Sequence, residues 1–287
     1  VGKSTLINRI LGQKIAIVTN KPQTTRKQQL GIYTEDHGQI LFMDTPGLHK
    51  PHHKLGEYMV NVAEGAIKDA DMILWVLDAS EPPQEPDTHI AQTLNSLRGD
   101  TPLILALNKT DIVKGDISDA TLPHRALIAH DLAVPVSATK GDKIEDLLRE
   151  LLKRLPEGPR YYPADQVSET NMRFIAAEIV REKIIVRTQQ EIPHAVAVEI
   201  TEYKERSEDM TYISAVIYVE RDSQKGIIIG KRGAMIKDIG SDARKDLSEM
   251  LGTQVYLDLH VKVLKNWRED EALMRRMGYR VYKDDGK

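Results

Sequence analysis

Short apolar runs without a polar break recur through the first half of the chain. Residues 71–78 (DMILWVLD) and 103–107 (LILAL) are the clearest. Such runs suit strands buried on both faces, as in a parallel sheet covered by helices. Residues 39–43 and 133–136 read as shorter strands, and 27–34 become strand-like at their end. Between these runs the spacing turns helical. Leu55, Met59, Val62, Ala66 and Ile67 share a face over residues 54–68. Residues 87–98 read as a crossover helix, and Ile144, Leu147, Leu148, Leu151 and Leu152 line one side of 144–155. With a helix at 6–11, the alternation of strand and helix predicts a doubly wound, mostly parallel α/β sheet.

Past Pro156 the pattern changes. Residues 157–170 hold Pro and Tyr with little periodicity and read as a semi-rigid linker. A helix is predicted at 171–188. Residues 195–203 and 212–220 alternate apolar and polar positions, as antiparallel strands with one covered face do, and charged residues 204–211 join them. Gly226 to Gly233 (GIIIGKRG) leads into a helix at 234–251 and a strand at 254–265. The expected organisation is an α/β domain at 1–156, the linker, an α+β domain at 171–268, and a charged tail at 269–287. The tail, with a short helix around Ala272-Leu273-Met274, is expected to be solvated or partly ordered.

Composition narrows the chemistry. A chain of 287 residues can hold two domains, and its net charge of −3 confines any nucleic-acid site to a local patch. With no cysteine, disulfides and thiolate-bound metal are excluded. No run approaches the length of a membrane-spanning helix. His49, His52 and His53 are expected to be exposed imidazoles of a loop, because Pro51 intervenes and no acid lies at ligand spacing.

Val1-Gly2-Lys3-Ser4-Thr5 matches the second half of the phosphate-binding loop G-x-x-x-x-G-K-[ST]. Gly2 lets backbone approach phosphate, Lys3 reaches the β- and γ-phosphates, and the Ser4 hydroxyl suits Mg²⁺. The first half of the loop, and a central strand leading into it, are expected to precede Val1. Residues 1–287 alone are therefore expected to bind nucleotide more weakly and to be less stable than a chain that includes them. The strand at 39–43 runs into Asp44-Thr45-Pro46-Gly47, where the carboxylate orients Mg²⁺ through water and the Gly47 amide reaches the γ-phosphate. The strand at 103–107 ends in Asn108-Lys109-Thr110-Asp111. Asp111 can accept from guanine N1–H and N2–H₂, donors that adenine lacks. Asn108 can donate to guanine N7 and tether the loops, and the Lys109 stem can lie along the base. Ser137-Ala138 follows another strand, with the Ala138 amide within reach of guanine O6. Each element sits at the C-terminal end of a strand, where open α/β sheets bind ligands.

Taken together, G-K-S-T, T-T-R, D-T-P-G, N-K-x-D and S-A resemble the translation-factor class of small GTPases. More narrowly, Lys21 to Arg26 (KPQTTR), Asp44 to His49 (DTPGLH) and Pro156 to Pro163 (PEGPRYYP) resemble the Era-type GTPases of ribosome assembly. The resemblance runs from Val1 to about Arg268. It implies a first switch at 20–29, with Thr25 contacting Mg²⁺ and γ-phosphate and Thr24 beside it, and a second switch at 44–60. Lys3, Thr25, Asp44 and Gly47 would carry catalysis. Ser4, Thr25 and Asp44 would hold the metal, and Gly2, Thr5, Thr45, Pro46 and Leu48 would complete the nucleotide site with the two guanine loops. Leu48 stands where Ras-like enzymes place a water-positioning glutamine, so slow intrinsic hydrolysis is expected. Family members often bind K⁺ through an asparagine in the first half of the loop. That position precedes Val1, and K⁺ dependence stays open.

The second half resembles a type II KH domain. Ile229, Gly230, Lys231, Arg232 and Gly233 form its G-x-x-G turn, where backbone comes close to RNA phosphates. Ile227 to Ile229 and Ile236 are expected to floor a groove for unstacked bases. From Arg221 to Arg268, ten Lys and Arg face six Asp and Glu, a modest positive excess that fits single-stranded RNA better than duplex. The resemblance implies GTP/GDP and Mg²⁺ as cofactors, and the 3′ end of 16S rRNA and the 30S subunit as partners. It further implies no DNA, a monomer, and a cytoplasmic location with at most peripheral inner-membrane contact. The alternative is an RNA-binding assembly factor in which nucleotide is mainly structural.

Overall fold

In the computed structural model, residues 1–19, 21, 23–169, 171–189 and 191–279 are described. The chain forms two compact units. The first comprises Val1–Ala16, Thr25–Pro51 and Met59–Glu169; the second comprises Ile17–Thr24, His52–Tyr58 and Thr170–Lys287.

Unit 1 runs α1 (Lys3–Leu11), β1 (Gln29–Glu35), β2 (Gly38–Asp44), α2 (Lys54–Asp69), β3 (Ile73–Asp78), α3 (Glu85–Leu97), β4 (Leu103–Asn108), α4 (Ile117–Arg125), β5 (Leu132–Pro135) and α5 (Ile144–Leu152), the first turn of α2 belonging to unit 2. The most apolar run becomes the most buried strand: Leu103 to Leu107 have no solvent exposure. Alternate residues of β4 serve opposite faces of the sheet. Ile104 and Ala106 pack with Leu6, Ile10, Leu147 and Leu151, while Leu103, Leu105 and Leu107 pack with Leu77, Ala91 and Leu94. Strands β3, β4 and β5 are parallel neighbours in that order. Their register aligns Asp78 with Asn108, so both residues emerge together at the C-terminal edge. Strands β1 and β2 form a separate antiparallel pair, Gln29 opposite Asp44.

Helix α4 was not legible in the sequence. It is short, polar and carries Pro123; what starts it is Asp116, whose carboxylate accepts from the Ser118 and Asp119 amides at 2.7 and 3.2 Å. The stretch expected to be a spacer is fastened to the β1–β2 pair. Ile32 N–H donates to the Val167 carbonyl (2.9 Å), Gly31 bridges to Ser168, and the Gln39 amide oxygen accepts from the Tyr161 and Tyr162 amides.

Unit 2 continues with α6 (Met172–Arg187), α7 (Ile192–Ala195), β6 (Ala197–Ser207), β7 (Met210–Val219), α8 (Asp222–Ile229), α9 (Ala234–Leu251), β8 (Gln254–Val263) and α10 (Glu271–Arg276). Strands β6 and β7 are antiparallel, and β7 and β8 parallel. The hairpin extends further toward its turn than expected, because Lys204, Glu205 and Ser207 remain paired, with an irregularity at Arg206, and only Glu208 and Asp209 turn. Ile179, Ile184, Ile213, Ile217, Ile228, Ile239 and Leu247 form the core between the helices and the sheet.

Residues 269–279 take the ordered form of the expectation for the tail: the short helix is α10, Met274 and Tyr279 are buried, and Tyr279 stacks on fully buried Trp267 at 5.9 Å and meets Tyr58 edge-on. Trp267 also donates its indole N–H to the Ala195 carbonyl at 2.8 Å. The few apolar positions in this charged stretch are spaced to seat on unit 2, which average composition conceals. Residues 280–287 of the expected tail lie outside the described residues. Ile228, expected in the RNA groove, faces the core with no exposure, because residues 227–229 are helical rather than extended; Ile227 is the exposed neighbour.

Candidate nucleotide and RNA sites

Gly2 caps α1 with φ 96°, and its backbone fills a place no side chain could share. A Cβ there would stand 2.5 Å from the Asn108 Nδ2. Asn108, buried at the end of β4, donates from Nδ2 to the Val1 carbonyl (2.9 Å) and accepts at Oδ1 from the Ala138 amide (2.9 Å). One side chain thus ties the phosphate loop to the 137–138 loop. The arrangement is the tether foreseen for Asn108, and the Ala138 amide, expected at guanine O6, donates here to Asn108.

Ser4, Thr25 and Asp44 meet in unit 1. The Ser4 hydroxyl donates to Asp44 Oδ2 at 2.9 Å, Thr25 Oγ1 lies 3.4 Å from the same oxygen, and the two hydroxyls are 3.1 Å apart. Asp44 is 1% exposed, and its Oδ1 has no hydrogen-bond partner. Burial pushes its carboxyl above the ordinary aspartate range, against the opposing pull of Lys3, Ser4 and Thr25. A buried carboxylate with one idle oxygen, flanked by two hydroxyls, is an all-oxygen donor set that suits Mg²⁺. Lys3 opens α1 with its ammonium close to Gly47, 3.8 Å from where a Cβ on that glycine would stand.

Thr24 and Leu48, both expected at the nucleotide, also make contacts within the protein. The Thr24 hydroxyl bonds Thr19 (2.6 Å) and the Lys21 carbonyl (2.8 Å) within unit 2 rather than joining Thr25. Leu48 packs its side chain against the Leu103–Leu105–Leu107 cluster, so it contributes apolar contact and no polar group. Thr5 lies in α1, while Thr45, Pro46 and Gly47 follow β2 as loop.

The guanine loops are held by contacts between neighbouring strand ends. Asp111 is exposed; its Oδ1 accepts from the Ser137 hydroxyl at 2.7 Å, leaving Oδ2 open to a base. Ser137 Oγ in turn accepts from the Lys140 amide, and the Thr110 amide donates to the Val136 carbonyl. Lys109 adopts φ 67° and pairs its ammonium with Asp78. Burial alone would raise the Asp78 carboxyl; hydrogen bonds from Lys109 and Ser80 outweigh it and hold it below the usual carboxylate range. Sequence reasoning missed two partners. Asp78 was visible only as an acid closing an apolar run. Arg9 donates to the carbonyls of Ala138 (3.1 Å) and Thr139, and nothing in its local sequence marks it.

In unit 2, α8 ends at Gly230, with φ 72°, where a Cβ would lie 2.6 Å from Met235 Cβ and 2.8 Å from Met235 N. Lys231 and Arg232 are exposed at the turn, and Gly233 caps α9. Ile229 and Ile236 are half-buried beside it. Of the three histidines expected to be exposed, only His52 is; His49 and His53 are half-buried, and His49 Nδ1 lies 2.9 Å from the Gly47 carbonyl. His53 accepts from the Gly56 amide through Nδ1 at 2.8 Å.

Comparison with known proteins gives concordant matches. A family pattern described as 50S ribosome-binding GTPase matches residues 1–109, and one described as KH domain matches residues 191–268. The GTPase Era of Thermotoga maritima is 47% identical over 288 residues, covering 99% of this chain and 94% of that protein. The GTPase Era of Ruminiclostridium cellulolyticum is 44% identical over 285 residues, covering 99% and 95%. Among solved structures, Era in complex with MgGDPNP and nucleotides 1506–1542 of 16S ribosomal RNA superposes with a TM-score of 0.90 at 38% identity, covering 98% of this chain and 95% of that one. Aquifex aeolicus Era Y63A bound to GDP·AlF₄⁻ gives 0.89, with the same identity and coverage.

Proposed function

The chain belongs to the Era family of GTPases and is a GTP-hydrolysing enzyme; from that premise we propose that it couples a Mg²⁺-dependent guanine-nucleotide site in unit 1 to binding of 16S rRNA near its 3′ end by unit 2. The process served is assembly of the 30S subunit. The observation that carries the nucleotide half is the convergence of the Ser4 and Thr25 hydroxyls on Asp44, whose second oxygen is buried and idle. Ser4, Thr25 and Asp44 would hold Mg²⁺, Asp44 through water; the ion would neutralise charge on the β- and γ-phosphates. Lys3 adds its ammonium to the same oxygens, and the Gly47 amide is placed to follow the γ-phosphate. Asp111 reads the guanine edge with its open oxygen.

Hydrolysis joins a water oxygen to the γ-phosphorus and breaks the bond to the β,γ-bridging oxygen, giving GDP and phosphate. Leu48 is committed to the core and offers the water no hydrogen bond. Orientation of the water is left to the Thr25 region and backbone groups, and intrinsic turnover is slow. Hydrolysis would release the loops that the γ-phosphate and metal order.

The RNA half is supported by the Gly230–Gly233 turn with its two exposed cations, and by the likeness to Era bound to 16S rRNA. No helix among the described residues is long and apolar enough to cross a membrane. From the kinship with Era we propose a cytoplasmic protein whose contact with the inner membrane, where it occurs, is peripheral. The test is fluorescence anisotropy with RNA from the 3′ end of 16S rRNA. Lys231→Glu with Arg232→Glu is expected to abolish binding and leave nucleotide affinity unchanged; undiminished RNA binding by that variant would refute the assignment.

A further inference from the structure

Arg9 sits in the last turn of α1 and is exposed. A cation at that place commonly does no more than oppose the helix dipole. This one reaches off its own helix. Its Nε donates to the Ala138 carbonyl at 3.1 Å, and its Nη2 donates to the Thr139 carbonyl. The guanidinium also lies against Gly141, where a Cβ would stand 3.7 Å from Arg9 Cζ and Nε. A planar guanidinium spanning successive carbonyls fixes both peptide planes, which a single ammonium does not.

The second of those planes leads toward the base. The peptide that carries the Thr139 carbonyl also carries the Lys140 N–H, which donates to Ser137 Oγ at 3.0 Å. Ser137 Oγ donates its own hydrogen to Asp111 Oδ1 at 2.7 Å. Arg9, the Thr139–Lys140 peptide, Ser137 and Asp111 thus form a continuous relay in which every donor points the same way, from the cation to the carboxylate. Bonds in such a chain polarise one another. The loop around the relay is closed as well. Gly141 N–H donates to the Ser137 carbonyl at 2.7 Å, Ser137 N–H donates to the Asp142 carbonyl at 3.1 Å, and the Ser137 residue is fully buried. At the other end of α1, Asn108 joins the Val1 carbonyl to the Ala138 amide. The helix that presents Lys3 and Ser4 is therefore fastened to the 137–142 loop at both of its ends.

We propose that Arg9 is a positioning residue for guanine recognition. Through the Thr139–Lys140 peptide and Ser137 it holds Asp111 Oδ1, so that Oδ2 faces the base edge. The proposal rests on the reading of Asp111 as the guanine contact, and it adds what sets the orientation of that carboxylate. Arg9 acts through the loop and is assigned no contact with nucleotide. Its part is specificity, and the chemistry at the γ-phosphate is left to other groups.

The experiment is competition of GDP and of IDP against ribose-labelled GDP. The base of IDP lacks the 2-amino group, so Asp111 keeps only its bond to N1–H. The wild type should bind GDP about tenfold or more tighter than IDP, the worth of one hydrogen bond to a carboxylate. Arg9→Ala should weaken GDP about fivefold and IDP about twofold, a modest change because an exposed cation is screened by solvent. The preference for GDP therefore narrows. Arg9→Lys, which can hold one carbonyl, should fall between the wild type and Arg9→Ala. Ser137→Ala cuts the relay closer to Asp111, so adding Arg9→Ala to it should narrow the preference no further. Asp111→Ala should abolish the preference; a preference that survives it removes the reading of Asp111 and the proposal together. Where Asp111→Ala does abolish it, the proposal alone is overturned by an unchanged preference in Arg9→Ala, or by full additivity with Ser137→Ala. Equal weakening of GDP and IDP by Arg9→Ala also overturns it, because that is the signature of a general loosening of α1.

Discussion

Asp44→Asn should stabilise the nucleotide-free protein while abolishing its use of Mg²⁺. Asp44 is 1% exposed; one oxygen accepts a 2.9 Å bond from Ser4 and a longer one from Thr25, and the other has no partner. Asparagine keeps the shape and the acceptor and removes the charge. Leaving a buried polar group unmatched costs about 1–3 kcal/mol, more for an ion. The amide's own unpaired N–H₂ returns part of that, and Lys3 attracts the wild-type charge. The net gain for Asp44→Asn at neutral pH is therefore about 1 kcal/mol, or about 2–4 °C for a unit of this size. The pH dependence supplies an internal control. Burial raises the Asp44 pKa above its ordinary 3.8 in the folded state. The folded state thus binds the proton more tightly than the unfolded one, so this group's contribution is fully present below pH 3.8 and is lost as pH rises through the raised value. Wild type and variant should melt alike near pH 4 and diverge above it, the variant higher. Adding Mg²⁺ with GDP should raise the melting temperature of the wild type far more than that of the variant. A variant that melts below the wild type at pH 7 without metal, or a gap that does not change with pH, would refute the reasoning.

Three further outcomes follow from the geometry. Asp111→Asn should lower GTP affinity and favour xanthosine nucleotides in competition binding, because the amide matches the altered base edge; surviving guanine preference would displace Asp111 from its role. Gly230→Ala forces a side chain into φ 72° and to within 2.6 Å of Met235; denaturant unfolding should show a loss of about 1–3 kcal/mol, with RNA affinity falling as the turn distorts. Trp267→Ala removes a fully buried ring and its bond to the Ala195 carbonyl, and should cost unit 2 about 3–5 kcal/mol by the same measurement.

Most elements were legible because burial pattern and spacing agree. The run 103–107 suits a strand covered on both faces, and alternate residues do enter two different cores. The phosphate-loop, Asp44 and Asn108–Asp111 segments were legible because each type of chemistry requires those residues at the end of a strand. What stayed hidden depends on contacts far apart in the chain. Arg9 holds carbonyls about 130 residues away, the Ala138 amide is claimed by Asn108, and Ile228 turns inward because 227–229 are helical. The charged stretch after Arg268 hid Met274 and Tyr279, whose burial needs the Trp267 and Tyr58 rings as partners.

The central claim is that one site binds guanine nucleotide through Asp111 and hydrolyses it with a metal held by Ser4, Thr25 and Asp44. Single-turnover hydrolysis of labelled GTP and labelled ATP, each with Mg²⁺ and with chelator, tests it most directly. The expected result is slow, Mg²⁺-dependent conversion of GTP to GDP and phosphate, with ATP left intact. Equal hydrolysis of ATP, or GTP hydrolysis indifferent to chelator, would contradict it.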